Sequence, residues 1–133
     1  MGYVVLDTDV LSFLFKRDSR GERYRPHLEG HTLCISFQTV AELYQWAEVR
    51  DWGDRRRKQL QEWLRNFVVL PYDNETAWAW ARIRAARQKQ GHQIAPQDAW
   101  IAASALRHNC PLITHNADDY SGISELQIIS EPG

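Results

Sequence analysis

Hydrophobic positions in the chain gather into five short runs. Tyr3-Val4-Val5-Leu6 is the first, followed by Leu33-Cys34-Ile35, Val68-Val69-Leu70, Leu112-Ile113 and Leu126-Gln127-Ile128-Ile129. Apolar runs without strict alternation predict strands buried on both faces, as in a parallel sheet. The segments between them carry helical spacing: Val10, Leu11, Phe13, Leu14 and Phe15 predict one helix, Val40, Leu43, Tyr44 and Ala47 a second, and Leu60, Trp63, Leu64 and Phe67 a third. Ala77 to Gln90 contains no helix breaker, places Trp80, Ile83, Ala86 and Arg87 at intervals of three and four, and is followed by Gly91 as a stop. Pro96 opens a further helix, because the amide hydrogen it lacks is not needed in a first turn, and Ala99 to Leu106 supplies small apolar residues. Strands alternating with helices predict an α/β fold, a three-layer α/β/α sandwich around a mostly parallel sheet of about five strands.

A length of 133 residues fits one domain, expected to span 1–133, with one core and one site. Hydrophobic residues at 44% and charged residues at 25% exclude a disordered or collagen-like chain. No apolar run approaches the ~20 residues that span a bilayer, so no membrane partner is expected. The first apolar run has no basic segment before it and is shorter than a signal-peptide core, and Leu6 stands where a myristoylation signal needs Ser or Thr. Two cysteines make no disulfide framework, and the expected location is the cytoplasm.

The net charge of −1 hides an uneven distribution. Lys16, Arg17, Arg20, Arg23 and Arg25 form one basic stretch, Arg55 to Lys58 another, and Arg82, Arg84, Arg87 and Lys89 a third, whereas no Lys or Arg follows Arg107. Such clusters ordinarily solvate helix faces, and they hold a polyanion when a reactive centre lies nearby.

Topology gives the acidic residues their meaning, since sites in open parallel sheets form beyond the carboxyl ends of the strands. Asp7 follows the first strand, Glu42 opens the helix after the second, Asp98 lies in the first turn of the alanine-rich helix, and Asp118-Asp119 follow the fourth strand. Each has a structural alternative: Asp7 or Thr8 as an N-cap, Thr39 to Glu42 as a capping box, Asp98 on the helix dipole, and Asp118 and Asp119 as turn residues. Gathered at one apolar edge, however, the carboxylates repel one another and lose hydration unless cations or protons neutralise them. Neither Cys34 and Cys110 nor the five histidines show the spacing of a soft-metal site. An all-oxygen donor set selects a hard ion, Mg²⁺ or Mn²⁺, which binds through a few carboxylates, water and substrate phosphate.

Four segments together resemble the PIN domain, and specifically the small VapC toxins of VapBC toxin-antitoxin systems: Val4 to Leu11, Ser36 to Tyr44, Pro96 to Ala103 and Leu112 to Tyr120. The resemblance runs over nearly the whole chain and implies a PIN-like fold and an Mg²⁺- or Mn²⁺-dependent endoribonuclease that leaves 5′-phosphate and 3′-hydroxyl ends and inhibits translation. Carried over by position, Asp7, Glu42, Asp98 and Asp119 match the acidic catalytic and metal-binding residues, with Asp118 the competing choice for the fourth. Asn116 matches a position that orients a ligand or water, Thr8 and Thr114 match small hydroxyl residues near the metal, and Asp9 departs from the Asn usual there. The resemblance further implies a homodimer and a VapB-like antitoxin covering the site. Arg17, Arg20, Arg82, Arg84 and Arg87 are then candidate RNA contacts. Of the six tryptophans, Trp63, Trp80 and Trp100 are expected in the core and the others as interface anchors.

Two other readings compete. Asp7-Thr8-Asp9-Val10-Leu11 also fits the nucleophile motif of haloacid-dehalogenase-like phosphatases, with Ser36 binding phosphate and Asp118-Asp119 holding Mg²⁺, but no suitable lysine precedes Leu112 and Glu42 and Asp98 are left without a task. The other is a catalytically silent PIN-like module that binds RNA or protein.

Overall fold

The computed structural model describes residues 2–131; Met1, Pro132 and Gly133 of the expected domain lie outside the described residues. Five strands, β1 (Tyr3–Leu6), β2 (Thr32–Ser36), β3 (Val68–Leu70), β4 (Leu112–Ile113) and β5 (Ile128–Ile129), pair in parallel in the order β3-β2-β1-β4-β5. The chain winds outward from β1 on one side, then returns and continues on the other. The order therefore reverses between β1 and β4, where open α/β sheets form their crevice. Of the run predicted over residues 126–129, only Ile128 and Ile129 pair with β4.

Successive strand residues feed opposite cores, which is why the runs do not alternate with polar residues. Val5, Cys34 and Leu112 pack with Ile83, Ala99, Ala102 and Ala103 under α6 (Asn74–Lys89) and α7 (Pro96–Arg107). Val4, Leu6, Ile35 and Ile113 face α1 (Thr8–Phe15), α4 (Phe37–Val49) and α5 (Asp54–Leu64) through Val10, Leu11, Leu43, Leu60 and Leu64. The edge strand β3 departs from the expectation of burial on both faces: Val68 and Val69 are 46% and 41% exposed, and only Leu70 is buried. Two helices of four residues, α2 (Ser19–Glu22) and α3 (Arg25–Leu28), were not predicted, because one turn is too short to display a period of 3.6.

The capping box lies elsewhere than the sequence suggests. Asp73 and Thr76 form it at the start of α6, the Thr76 amide donating to Asp73 Oδ1 at 2.9 Å and the Asp73 amide to Thr76 Oγ1 at 3.4 Å. At α4 the cap is Ser36, whose Oγ accepts from the Thr39 amide at 3.2 Å, so Glu42 is one turn too far along for the reciprocal bond and its carboxylate is left for other work. Helix α6 ends before Gly91, which adopts φ +72°, and α7 opens on Pro96 as expected. Trp80 stacks on Trp100 at 4.9 Å and Trp100 on Tyr72 at 4.7 Å, and Trp63 packs against Phe15 and Phe67, but all three are half-buried; Trp46 and Trp52, expected as interface anchors, pack against the core in the same way, and Trp78 alone of the six is exposed. Among the described residues no helix is long and apolar enough to cross a membrane.

Candidate active site

Asp7 leaves β1 and enters α1 as its N-cap. Its Oδ1 accepts from the Asp9 and Val10 amides at 3.1 and 3.3 Å. Its Oδ2 accepts from the Thr114 hydroxyl at 2.5 Å, beyond β4, and from the Tyr120 hydroxyl at 3.5 Å. Cap and site are thus one carboxylate, only 2% exposed. Burial, followed by the neighbouring Asp9, holds its pKa well above the ordinary carboxylate value, against the opposing pull of Thr114 and the Val10 amide.

Glu42 reaches the same edge from α4. Thr8 Oγ1 donates to Glu42 Oε1 at 3.1 Å and lies 3.0 Å from Thr39 Oγ1; with its one proton given to Glu42, Thr8 accepts from Thr39. Gln38 Nε2 approaches the same Glu42 oxygen at 3.5 Å. Burial raises the Glu42 pKa, Thr8 and Gln38 restrain the rise, and the charge of Asp9 adds to it.

Asp98 sits in the first turn of α7. Burial and then the charges of Asp119, Glu42 and Asp9 push its pKa up to about 6. Of the two acids after β4, Asp119 bears on Asp98 by its charge, and Asp118 accepts from Ser121 Oγ at its carbonyl at 3.0 Å. Asn116 donates through its side chain to Asp9 Oδ2 in a short bond, and its amide donates to Thr114 Oγ1 at 3.0 Å. Asp9 is therefore electrostatically part of the site, raising Asp7, Glu42 and Asp98 alike.

These donors fit a hard divalent cation. The carboxylates and hydroxyls there offer oxygen donors, and burial and like charge raise the pKa values of Asp7, Glu42 and Asp98. Among the described residues, as placed, no three His, Cys, Asp or Glu side chains come close enough together to hold a metal ion on their own. The nearby histidine is engaged elsewhere, His115 Nδ1 lying 2.6 Å from the Tyr24 hydroxyl.

The candidate RNA-contacting arginines divide. Arg87 is a correction: it is 2% exposed and donates from Nε to the His92 carbonyl at 2.7 Å and from Nη1 to the carbonyls of Ser121 at 2.9 Å and Asp119 at 3.4 Å. It holds the Asp119 turn against α6 and cannot reach a phosphate. Arg84 gives Nη1 to the Ile94 carbonyl in a short bond, and Arg20 is paired with Asp18 at 2.7 Å and lies over Phe13. Arg17 and Arg82 are exposed. Sequence reasoning did not find Gln38, Thr39 or Tyr120 as supports of the carboxylates. The Tyr120 ring was visible beside Asp119, but nothing in the sequence aims its hydroxyl at Asp7, 113 residues away. The phosphatase reading loses its phosphate-binding serine, since the Ser36 hydroxyl is buried and caps α4.

Known proteins resemble this chain over most of its length. The family model described as PIN domain matches residues 4–125. Ribonuclease VapC1 of Haemophilus influenzae is 34% identical over 132 residues, covering 92% of this chain and 93% of that protein. The tRNA(fMet)-specific endonuclease VapC of Shigella flexneri is 28% identical over 123 residues, with 92% and 93% covered. In the crystal structure of DNA-bound VapBC from Salmonella typhimurium, one chain superposes with a TM-score of 0.86 at 28% identity, covering 98% of each chain.

Proposed function

The chain belongs to the PIN domain family, and from that premise we propose a metal-dependent endoribonuclease of the VapC type, a toxin that hydrolyses RNA phosphodiester bonds and is neutralised by a VapB antitoxin. The observation that carries the reading is the convergence of Asp7, Glu42 and Asp98 from three separate elements, each with its pKa raised by burial and like charge. Groups so arranged store repulsion that a cation relieves. The ribonuclease names of the relatives support the activity over a silent module, and the VapBC complex supports the antitoxin.

Asp7, Glu42, Asp98 and Asp119 would hold Mg²⁺ or Mn²⁺, directly or through water. When bound, the ion supplies Lewis-acid polarisation of a phosphodiester oxygen and lowers the pKa of water for in-line attack. The chain's own contribution is orientation. Thr114 and Tyr120 fix one Asp7 oxygen while the first turn of α1 fixes the other, Thr8 and Gln38 aim Glu42, and Arg87 anchors the turn that carries Asp119. Asp118 is a turn residue, and Asn116 restrains Asp9. The substrate is RNA in the cytoplasm, and the toxin acts as a homodimer whose contacts draw on its exposed apolar side chains, Phe37, Val68, Val69 and Trp78 among them.

The test is incubation of purified, antitoxin-free protein with total RNA, tRNA included, in Mg²⁺, in Mn²⁺ and in EDTA, followed by sequencing of the new ends. Metal-dependent cuts bearing 5′-phosphate are expected. RNA left whole in both metals, with turnover of a small phosphate ester instead, would overturn the proposal.

A further inference from the structure

Three cations meet where α1, α4 and α5 approach one another, away from the carboxylates. Lys16 caps the end of α1 and Arg50 the end of α4, and both face the Trp46 ring, with Lys16 Nζ 5.3 Å and Arg50 Cζ 5.4 Å from its centroid. Arg56 lies over Trp52 at 4.1 Å, and Trp52 stacks on Phe15. Asp18 is paired with Arg20 and Glu48 with Arg57, and Asp51 and Asp54, which neighbour Arg50 and Arg56 in the chain, form no ion pair with them among the described residues. Among the described residues none of Lys16, Arg50 and Arg56 belongs to an ion pair. A single cation at a helix C-terminus is favoured by the helix dipole. Three that converge repel one another, and burial together with Arg50 and Arg56 depresses the Lys16 pKa.

Resting on the ribonuclease reading, we propose that Lys16, Arg50 and Arg56 form a phosphate-binding patch for RNA outside the acidic centre, so that one RNA molecule engages both. Helix α1 joins the two. Asp7 is its N-cap and Lys16 its C-cap, nine residues on, which places the patch about 14 Å from the centre at 1.5 Å per residue. The patch answers an electrostatic need. A centre of four or five carboxylates repels RNA, and the cations predicted to offset it are largely spent: Arg87 is buried, Arg84 is bound to a carbonyl, and Arg20 is paired. Indole faces covered by guanidinium and ammonium groups hold those cations on the surface in fixed positions while leaving their N–H groups for phosphate oxygens.

The experiment measures binding of a folded tRNA pool in EDTA across a salt series, and cleavage kinetics in Mg²⁺, for the wild type, for the triple variant Lys16→Gln, Arg50→Gln, Arg56→Gln, and for the charge-retaining Lys16→Arg, Arg50→Lys, Arg56→Lys. The expected result is that the Gln variant binds at least 10-fold more weakly, with a salt slope smaller by about 2 to 3, at ~0.7–0.9 per phosphate contact. The loss falls on KM rather than kcat, and the charge-retaining variant recovers most of both. Unchanged affinity and slope in the Gln variant overturn the patch. So does unchanged RNA binding with loss of complex formation with a VapB antitoxin, which would make this a protein-docking surface. Absence of metal-dependent cleavage by the wild type would overturn the ribonuclease reading itself, whatever the variants do.

Discussion

Thr114 donates its hydroxyl proton to Asp7 Oδ2 across 2.5 Å, tying the end of β4 to the start of α1 at the point where the strand order reverses. The same hydroxyl accepts from the Asn116 amide, so one side chain fixes both the first acid and the turn leading to Asp119. Thr114→Val keeps the shape and removes both bonds, leaving a buried carboxylate short of a donor. A stability loss of about 1–3 kcal/mol by chemical denaturation is expected at pH 7.5, together with at least a 10-fold loss of cleavage. Equal stability and full activity would remove Thr114 from its positioning role.

Asp98 makes stability depend on pH in a direction opposite to that of an ordinary surface acid. Its pKa rises from about 3.8 unfolded to about 6 folded, so its favourable contribution is complete below 3.8 and is lost as pH rises through 6. Asp98→Asn, which carries no charge, should therefore stabilise the metal-free protein at pH 7.5, by about 1 kcal/mol once solvent screening of this half-exposed group is allowed for, and give no advantage at pH 3.5. Thermal melts in EDTA across that range check the sign. A variant less stable than wild type at pH 7.5 would contradict the repulsion account.

Arg87 separates structural from substrate-binding arginines. Arg87→Met leaves three carbonyls without their charged donor and should cost about 3 kcal/mol or more. Arg82→Ala, at an exposed site, should leave the melting temperature within a degree or two and weaken RNA binding in a salt-dependent way. The reverse pattern would refute the assignment.

Asp9 raises the pKa of all three central acids. Asp9→Asn should lower those pKa values and move the onset of Mg²⁺ binding, followed by calorimetry, to lower pH. At a pH high enough to ionise the acids in both proteins, the lost charge should weaken binding several-fold. An unchanged onset would mean that Asp9 serves only to hold Asn116.

Much of this was legible in the chain because parallel strands and their following helices are written locally. The five apolar runs marked the strands, and Asp7, Glu42 and Asp98 stood where the strand ends and helix starts placed them. What escaped depends on contacts between distant residues. Arg87 reads as one more cation on a basic helix until the turn at Asp119 to Ser121 folds over it. The box-like spacing of Thr39 and Glu42 gives no hint that Ser36 takes the cap and Thr8 claims the glutamate. Val68 and Val69 look like core until the strand order puts β3 at an edge. The choice between Asp118 and Asp119 turns on which one bears on Asp98.

A metal-dependent ribonuclease built on carboxylates gathered by the fold is tested by comparing RNA cleavage in Mg²⁺ by wild type, Asp7→Asn and Asp98→Asn, each verified as folded by its melt. Cleavage by the wild type that disappears in EDTA and falls at least 100-fold in both variants is the predicted result. Cleavage that survives EDTA, or persists in both variants at the wild-type rate, would contradict it.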